Sequence, residues 1–473
     1  MAVVESVSDF GYTSSDDSWV VTSGDGLTIT MDQDTCDITS MLWNDFELQY
    51  SAKNTHVNSG LGTVTSSIKT LDDSTIQITC TITGLEQTYL FRPNENAIYM
   101  GTYHTTDLDL AELRFLARLD RTTINNGMSS ASEIDGMSAI ESTDIYADGV
   151  TASKFYSAIP FIEDQVHGVT GDAGGVYFIM SDNAYEKSVG GPFYRDINNQ
   201  CTTANELTFY MFSDHTRTED YRYGFHGPYA LVFTDGTAPS TSDVDFDFFQ
   251  DLDLTGFTSE TERGSVSGSI IDSNDVLGSS GVVVSFSNDD AQYWVSVDSN
   301  ATMFTSPLMR PAVVTGGSTT TQTLEVTYEL ESSPIWRIGE WDGASDGFLN
   351  AANIHTMHPS DSRLETWVES LTFAPGKDDD NTFPWRCSVL AADVAASQRT
   401  VTGLQRCSRP WLFQRGITRG VTLGNYKHYE YSIPSSALVT GTNTIELSVA
   451  SGSTDSSEEW LSASVVFDAI ELV

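Results

Sequence analysis

Apolar and polar residues alternate with a period of two along most of the chain. Leu27, Ile29 and Met31 alternate with Thr28, Thr30 and Asp32, and Ile76, Ile78, Cys80 and Ile82 with Gln77, Thr79 and Thr81. Leu324, Val326, Tyr328 and Leu330 repeat the pattern, as do Ile445, Leu447 and Val449. Such spacing gives each strand one buried and one wet face, the mark of antiparallel sandwich sheets. Helical periodicity is weak; Leu108 to Leu119 reads as either a helix or a strand. The predicted fold class is all-β.

Polar, Gly/Ser-rich breaks divide the chain. Residues 234–242 (TDGTAPSTS) read as a loop, followed by an acidic-aromatic run from Asp243 to Asp253. A unit of alternating strands opens at Arg263-Gly264 and ends near Ser333. At about 75 residues it has the size of a small immunoglobulin-like sandwich. Pro334 marks the next break, and Ile335–Val473 reads as a third β-rich unit. No repeat of fixed period is present.

Charge narrows the partners. The 66 acidic residues against 23 basic ones give a formal net charge of −43, with 42 Asp but only 6 Lys. That surface repels nucleic acid and anionic lipid, so neither is expected as a partner. No apolar run is long enough to span a membrane, which excludes an integral helical membrane protein. The acidity fits a saline habitat or, equally, a secreted protein kept soluble by charge. The start Met1-Ala2-Val3-Val4-Glu5 shows no signal peptide; the expectation is a secreted protein whose leader has been removed, with a cytosolic protein as the other reading. Five cysteines lack CxxC spacing, and no His stands at ligand spacing from them. Two disulfides and one leftover thiol, Cys201, fit an exported protein better than a metal site.

Short catalytic patterns are missing: no HExxH, GxSxG or P-loop occurs. With 66 carboxylates, an acid pair for glycoside hydrolysis cannot be chosen by spacing. Asp378-Asp379-Asp380-Asn381 offers oxygen ligands for calcium but lacks EF-hand spacing and reads more simply as a solvated loop. A basic-aromatic group between residues 114 and 229 is more informative. It contains Arg114, Arg118, Lys154, Arg195, Tyr210, His215 and His226. Taken singly, each reads as a surface cation or a satisfied core residue. Together, in a chain poor in cations, they suit an anionic, ring-shaped ligand, because aromatic faces stack on sugars and Arg forks bind carboxylates.

Longer motifs extend through the chain: Cys36-Asp-Ile-Thr-Ser40, Leu48-Gln-Tyr-Ser51, Ser59-Gly-Leu-Gly62, Glu112-Leu-Arg-Phe115, Ser153-Lys-Phe-Tyr-Ser157, Gly191-Pro-Phe193 with Arg195-Asp-Ile197, and His226-Gly-Pro-Tyr229. Asp290-Ala-Gln-Tyr-Trp294, Ile338-Gly-Glu-Trp-Asp-Gly343 and Met357-His-Pro-Ser-Asp-Ser-Arg363 follow. In these motifs the chain resembles the rhamnogalacturonan lyases of polysaccharide lyase family 4, known best from fungi. The resemblance implies a catalytic β-super-sandwich over residues 1–257, a fibronectin type III-like domain over 258–333 and a jelly-roll, carbohydrate-binding-like domain over 334–473. It also implies an endolyase that cleaves the rhamnose-(1→4)-galacturonate bond of rhamnogalacturonan I, an acidic plant cell-wall polysaccharide, by β-elimination.

Carried over by motif, Lys154 is the base and His215 the acid; the flanks Tyr210-Met211 and Thr218-Glu219 select His215 over His226. Arg114 and Arg118 match the arginines that neutralise the substrate carboxylate, and Tyr210 an aromatic of the cleft; Arg195 and His226 join them as binding candidates. The chemistry requires no cofactor, the third domain leaves room for a structural calcium, and a monomer is expected. Cys36, in the CDITS motif, is expected to pair with Cys80, since both lie in strand-like stretches of the first domain, and Cys387 with Cys407. Three departures from the fungal pattern stand out: Thr208 lies near a family tyrosine, Gly168 and Tyr177 replace a short disulfide, and the acidity is far higher. Two other classes remain in view, a non-catalytic binding protein for acidic polysaccharide and a two-carboxylate hydrolase. If the charge reflects a saline habitat, the melting temperature rises from low to molar salt as self-repulsion is screened; a flat or falling profile leaves the solubility reading.

Overall fold

The computed structural model describes residues 9–72, 74–127, 136–141, 145–153, 159–213, 219–273, 282–298, 302–311, 313–326 and 334–339. In the C-terminal part it describes residues 362, 373–374, 377–378, 386–388, 431–444, 464–466 and 469–473. The chain divides into two compact units, Met1–Glu133 with Phe155–Glu329, and Ile134–Lys154 with Leu330–Val473. Residues 134–154 thus group with the C-terminal part, although the sequence around them belongs to the first unit.

Among the described residues the first unit is built of strands, with three short 3-10 turns between residues 241 and 262. Gly11–Ser14, Ser18–Thr22, Leu27–Asp32, Ile38–Trp43 and Phe46–Glu47 form a five-stranded meander. A seven-stranded antiparallel sheet runs Val166–Gly171, Gly174–Met180, Gly224–Thr234, Ala97–His104, Leu85–Phe91, Ile76–Ile82 and Thr65–Thr70 in spatial order. Four strands, Asn199–Cys201, Asn205–Ser213, Glu112–Leu119 and His56–Val57, make a third sheet. Alternation behaves as expected in Leu27–Asp32, where Leu27, Ile29 and Met31 are buried and their neighbours half-buried. Leu324 departs from it: Thr319–Glu325 is exposed along its whole length. Leu330 and the Ile445–Val449 pattern lie outside the described residues.

The four- and seven-stranded sheets meet through aromatic rings. Phe115 of the smaller sheet lies 6.2 Å from Tyr89, 6.0 Å from Phe178 and 6.1 Å from Tyr229, and Phe209 lies 4.6 Å from Tyr229. Edge-to-face and tilted contacts at these spacings add to the area each ring removes from water. The larger sheet is covered on its other face too, by the acidic-aromatic run. Val244, Phe248, Phe249 and Leu254 are buried there, and Tyr99 meets Phe248 edge-on at 5.0 Å. Asp243, Asp245, Asp247, Asp251 and Asp253 stay exposed, so the run is one apolar face with an acidic rim.

Cys36 and Cys80 are disulfide-bonded, as expected. Cys80 lies on a strand, but Cys36 follows a turn with φ +58°, not a strand. Cys201 is buried; with Cys36 and Cys80 joined to each other, it bonds to neither. Cys387 lies on Arg386–Ser388, and Cys407 is outside the described residues. Gly168 and Tyr177 prove to be directly opposed across a hairpin. A Cβ on Gly168 would sit 2.1 Å from the Tyr177 ring, so the tyrosine fills the space of the missing cross-link by lying over glycine.

The fibronectin-like part belongs to the same unit. Met303–Thr305, Ser265–Ile271 and Thr319–Glu325 form one sheet, Val282–Ser287 and Gln292–Val297 another. Its DAQYW motif grips a loop of the large sandwich. Lys187 donates to the Asp290 carbonyl and carboxylate at 2.8 and 2.9 Å, the backbone amide of Gln292 to the Glu186 carbonyl at 2.9 Å, and the Tyr293 hydroxyl to the Glu186 carboxylate at 2.6 Å. Arg263 and Arg310 each lie 2.7 Å from that carboxylate. In the second unit, Ser138–Glu141, Ile145–Asp148 and Val150–Ser153 form a sheet, Trp336–Gly339 pairs with Ala469–Leu472 and Arg386–Ser388 with Ser464–Val466.

Burial alone would raise the pKa of Glu186, but Arg263, Arg310 and Tyr293 outweigh it and hold the carboxyl below its ordinary value. Its stabilisation is therefore complete above the unfolded value near 4.5 and disappears as pH falls through the lower folded one. Glu186→Ala strands two arginines and is expected to cost about 3–5 kcal/mol in urea unfolding at neutral pH. A loss comparable to that of an exposed carboxylate would contradict this account.

Candidate active site

The strand Glu112–Leu119 was open to a helical reading; paired on both sides, it is a strand. Leu113, Phe115, Ala117 and Leu119 point into the core, which sends Glu112, Arg114, Leu116 and Arg118 to the opposite face. Across from them in register stand Tyr210 opposite Arg114, Thr208 opposite Leu116 and Glu206 opposite Arg118. A bulge at Met211 lets Met211 and Phe212 both enter the core while Tyr210 keeps its place opposite Arg114. In this register Arg114 and Arg118 share one face, with Tyr210 opposite Arg114.

Their surroundings differ. The Arg118 side chain is 8% exposed and lies 2.9 Å from Glu206, which is 12% exposed. It also donates to the Asn54 carbonyl at 2.7 Å and to His56 Nε2 at 2.6 Å. His56 in turn donates from Nδ1 to Asp37 at 3.1 Å. Arg118 is thus a strut held through its Nε and one terminal nitrogen. Arg114 is 17% exposed at its side chain and lies 3.0 Å from Glu112, which is 31% exposed. It donates to the Tyr210 hydroxyl, and its guanidinium lies 5.4 Å from the Tyr210 ring centre. Burial acts to lower the pKa of Arg114, but Tyr210 and Glu112 more than offset it. Burial, then Asp196, push the Tyr210 phenol far upward, so it remains a neutral hydroxyl.

Arg195 is half-buried on the loop after Gly191-Pro-Phe193. The next residue, Asp196, is buried and accepts from the Ser213 hydroxyl and, at 2.7 Å, from the Ile197 amide. This ties the Arg195 loop to the end of the Tyr210 strand. Arg222 ties the following segment, donating to the Ser188 carbonyl at 2.7 Å and to Glu219 at 2.7 Å. Lys154 and His215 are outside the described residues. His226, expected as a ligand contact, is instead completely buried, 5.6 Å from the Phe212 ring, and neither of its ring nitrogens has a partner among the described residues. The HGPY motif sits in the sheet interior and contains a cis Gly227-Pro228 bond. Among the described residues no group of three His, Cys, Asp or Glu is placed to hold a metal ion; Asp379–Asn381 are outside them.

With this geometry in place, comparison with known proteins is decisive. The family model "Rhamnogalacturonan lyase B, N-terminal" matches residues 10–256. Models for polysaccharide lyase family 4 match as domain II at 262–313 and as domain III at 334–403 and 405–472. The chain belongs to polysaccharide lyase family 4. Its relatives include the probable rhamnogalacturonate lyase A of Aspergillus flavus, 38% identical over 98% of this chain and 96% of the relative. Rhamnogalacturonate lyase A of Aspergillus aculeatus is 37% identical over 98% and 96%, and that of Emericella nidulans 36% over the same shares. In this family member the fold is all-β, with fibronectin-like and carbohydrate-binding-like parts following the sandwich.

Sequence reasoning missed the carboxylates that hold the arginines. Glu112 and Glu206 are two of 66 acidic residues, and it is strand register that sets Glu206 beside Arg118. Glu112, within the ELRF motif, was the one with a local signal. A buried network behind Thr208 also went unseen: Asp164 accepts from His167 at 2.7 Å, Tyr185 at 2.7 Å and Asn198 at 2.8 Å.

The burial of His226 has a measurable consequence. Burial, then His104, Lys187 and Arg310, hold its pKa well below 6.5, and burial lowers that of His104 as well. A histidine held neutral in the fold and free to protonate when unfolded withdraws stability as pH falls below about 6.5. The urea midpoint should decline between about pH 7.5 and about pH 5.5, and His226→Gln should flatten the decline. An equal slope in the variant would show that His226 does not titrate on unfolding.

Proposed function

We propose that this polysaccharide lyase cleaves the rhamnose-(1→4)-galacturonate bond of rhamnogalacturonan I by β-elimination, acting as a secreted monomeric endolyase. The observation that supports this reading best is Arg114, a partly exposed arginine backed by Tyr210 on one sheet face, in a chain related over nearly its full length to proteins named rhamnogalacturonate lyase. Removing the C5 proton of galacturonate, alpha to a carboxylate, places a second negative charge on that group. A pre-placed guanidinium meets this charge where it develops and lowers the barrier. In the proposal Arg114, Tyr210 and Arg195 contact the sugar acid, while Arg118 acts through the frame that it forms with Glu206, His56 and Asn54.

Lys154 is assigned the base and His215 the acid, on the strength of their motifs. A lysine abstracts a proton only as the neutral amine, which nearby cations and partial desolvation favour. A histidine can hand a proton to the departing rhamnose oxygen near neutral pH. No metal or cofactor enters the proposed scheme, and a calcium in the third domain would be structural.

Ultraviolet absorbance of an unsaturated uronate, released from rhamnogalacturonan I but not from homogalacturonan, tests the reaction. New reducing ends without that absorbance would favour a hydrolase, and neither signal a binding protein. Lys154→Ala and Lys154→Arg should both abolish product, because guanidinium stays protonated at working pH. His215→Ala should lose roughly 10²–10⁴-fold in rate. Near-normal turnover by Lys154→Ala would overturn the mechanism.

A further inference from the structure

Arg114 is not vacant. One terminal nitrogen donates to the Tyr210 hydroxyl and the other lies 3.0 Å from Glu112 Oε1. Its Nε is buried without a partner among the described residues. The Tyr210 hydroxyl also reaches the second oxygen of Glu112 at 3.5 Å. Glu112 and Arg114 are two apart on one strand, so they share its face, and the pair stands at the more exposed end of that face. A carboxylate of the chain therefore occupies the fork that a ligand carboxylate would need.

The two acid–arginine pairs on this face are not equivalent. Glu206 and Arg118 are 12% and 8% exposed, and His56 and Asn54 hold Arg118 as well. Glu112 is 31% exposed. Releasing it to water leaves no buried charge behind, provided that another anion takes over Arg114. Ion pairs of that exposure are weak and exchangeable, whereas a buried one is not.

We propose that Glu112 is a placeholder for the ligand's carboxylate and thereby sets how tightly a free uronate is held. In the empty site it keeps Arg114 aligned over Tyr210; on binding it yields the fork to the uronate. A ring with a free carboxylate restores the arginine pair that it breaks. An esterified, neutral ring cannot, and so must bind without Arg114 or leave the arginine uncompensated. This rests on the reading that Arg114 receives the ligand carboxylate.

Glu112→Gln keeps the shape and removes the charge. With rhamnogalacturonan, KM should fall about two- to fivefold, the range for a partly exposed pair, with the change in KM and not in kcat. The ratio of KM for methyl-esterified to free polymer should rise by the same factor, because a neutral ring that binds without Arg114 gains nothing from the loss of its rival. In an Arg114→Ala background Glu112→Gln should have no effect on KM, an outcome that a merely structural glutamate would not give. A KM that is unchanged or higher in Glu112→Gln, or an equal shift without Arg114, overturns the proposal. Calorimetric binding of galacturonate-containing oligosaccharides to Lys154→Ala, with and without Glu112→Gln, reads the same exchange without turnover. A wild type that makes no unsaturated product would thus defeat the lyase reading alone, while unaltered affinity on removing the Glu112 charge would defeat the placeholder.

Discussion

The aromatic layer between the four- and seven-stranded sheets fixes the orientation of the strand on which the site is built. Phe115, fully buried among Tyr89, Phe178 and Tyr229, cannot turn outward without exposing a large ring and emptying its place in the core. Side chains alternate across a strand, so fixing Phe115 inward fixes Arg114 outward. A slip of one residue would reverse both. The Met211 bulge preserves this arrangement on the partner strand, absorbing an extra residue in the core so that Tyr210 still faces Arg114.

Charge is organised by burial. The chain has few cations, and several lie inside: Lys187, Arg222, Arg263 and Arg118 are all 7% exposed or less. Each is paired with a carboxylate, from Asp290, Glu219, Glu186 and Glu206 respectively. Each buried cation is neutralised where it lies, by an internal acid for Arg263 and Arg118 and by a more exposed one for Lys187 and Arg222, and further acids are left to the surface, as along Asp243–Asp253. Arg114 differs from the four in being only partly covered. An acidic body and an arginine available to an anion are compatible because salt screens the distant charges within about 8–10 Å, while the fork acts at contact.

The fibronectin-like part braces the large sandwich. Gln292 accepts from the Gly191 amide at 3.0 Å and donates to the Tyr185 carbonyl at 3.1 Å, and Arg222 donates to the Asn288 carbonyl at 2.9 Å. The Gly190 amide donates to Glu219. The loop that leads to Arg195 and the residues that follow His215 in sequence are therefore held by groups from both parts of this unit. The DAQYW motif thus has a physical role, since backbone amides and carbonyls buried at the junction need partners and its side chains supply them.

Much of this was legible in the residues alone. Period-two alternation establishes an all-β chain because a half-buried strand needs it, and long ordered motifs point to the family because so many do not coincide by chance. The shared face of Arg114 and Arg118 also follows from their spacing of four, on a helix or a strand alike. Tertiary structure decided the rest. The 108–119 segment satisfied helix and strand alike until pairing with Asn205–Ser213 settled it. His226 and Arg118 look like ligand groups in a string of letters, yet packing places one wholly inside and engages the other with Glu206, His56 and Asn54. Glu206 could not be told from the other acids, since its role depends on which arginine lies across the sheet. That neighbour is fixed by register and burial between segments far apart in sequence, and no local pattern encodes it.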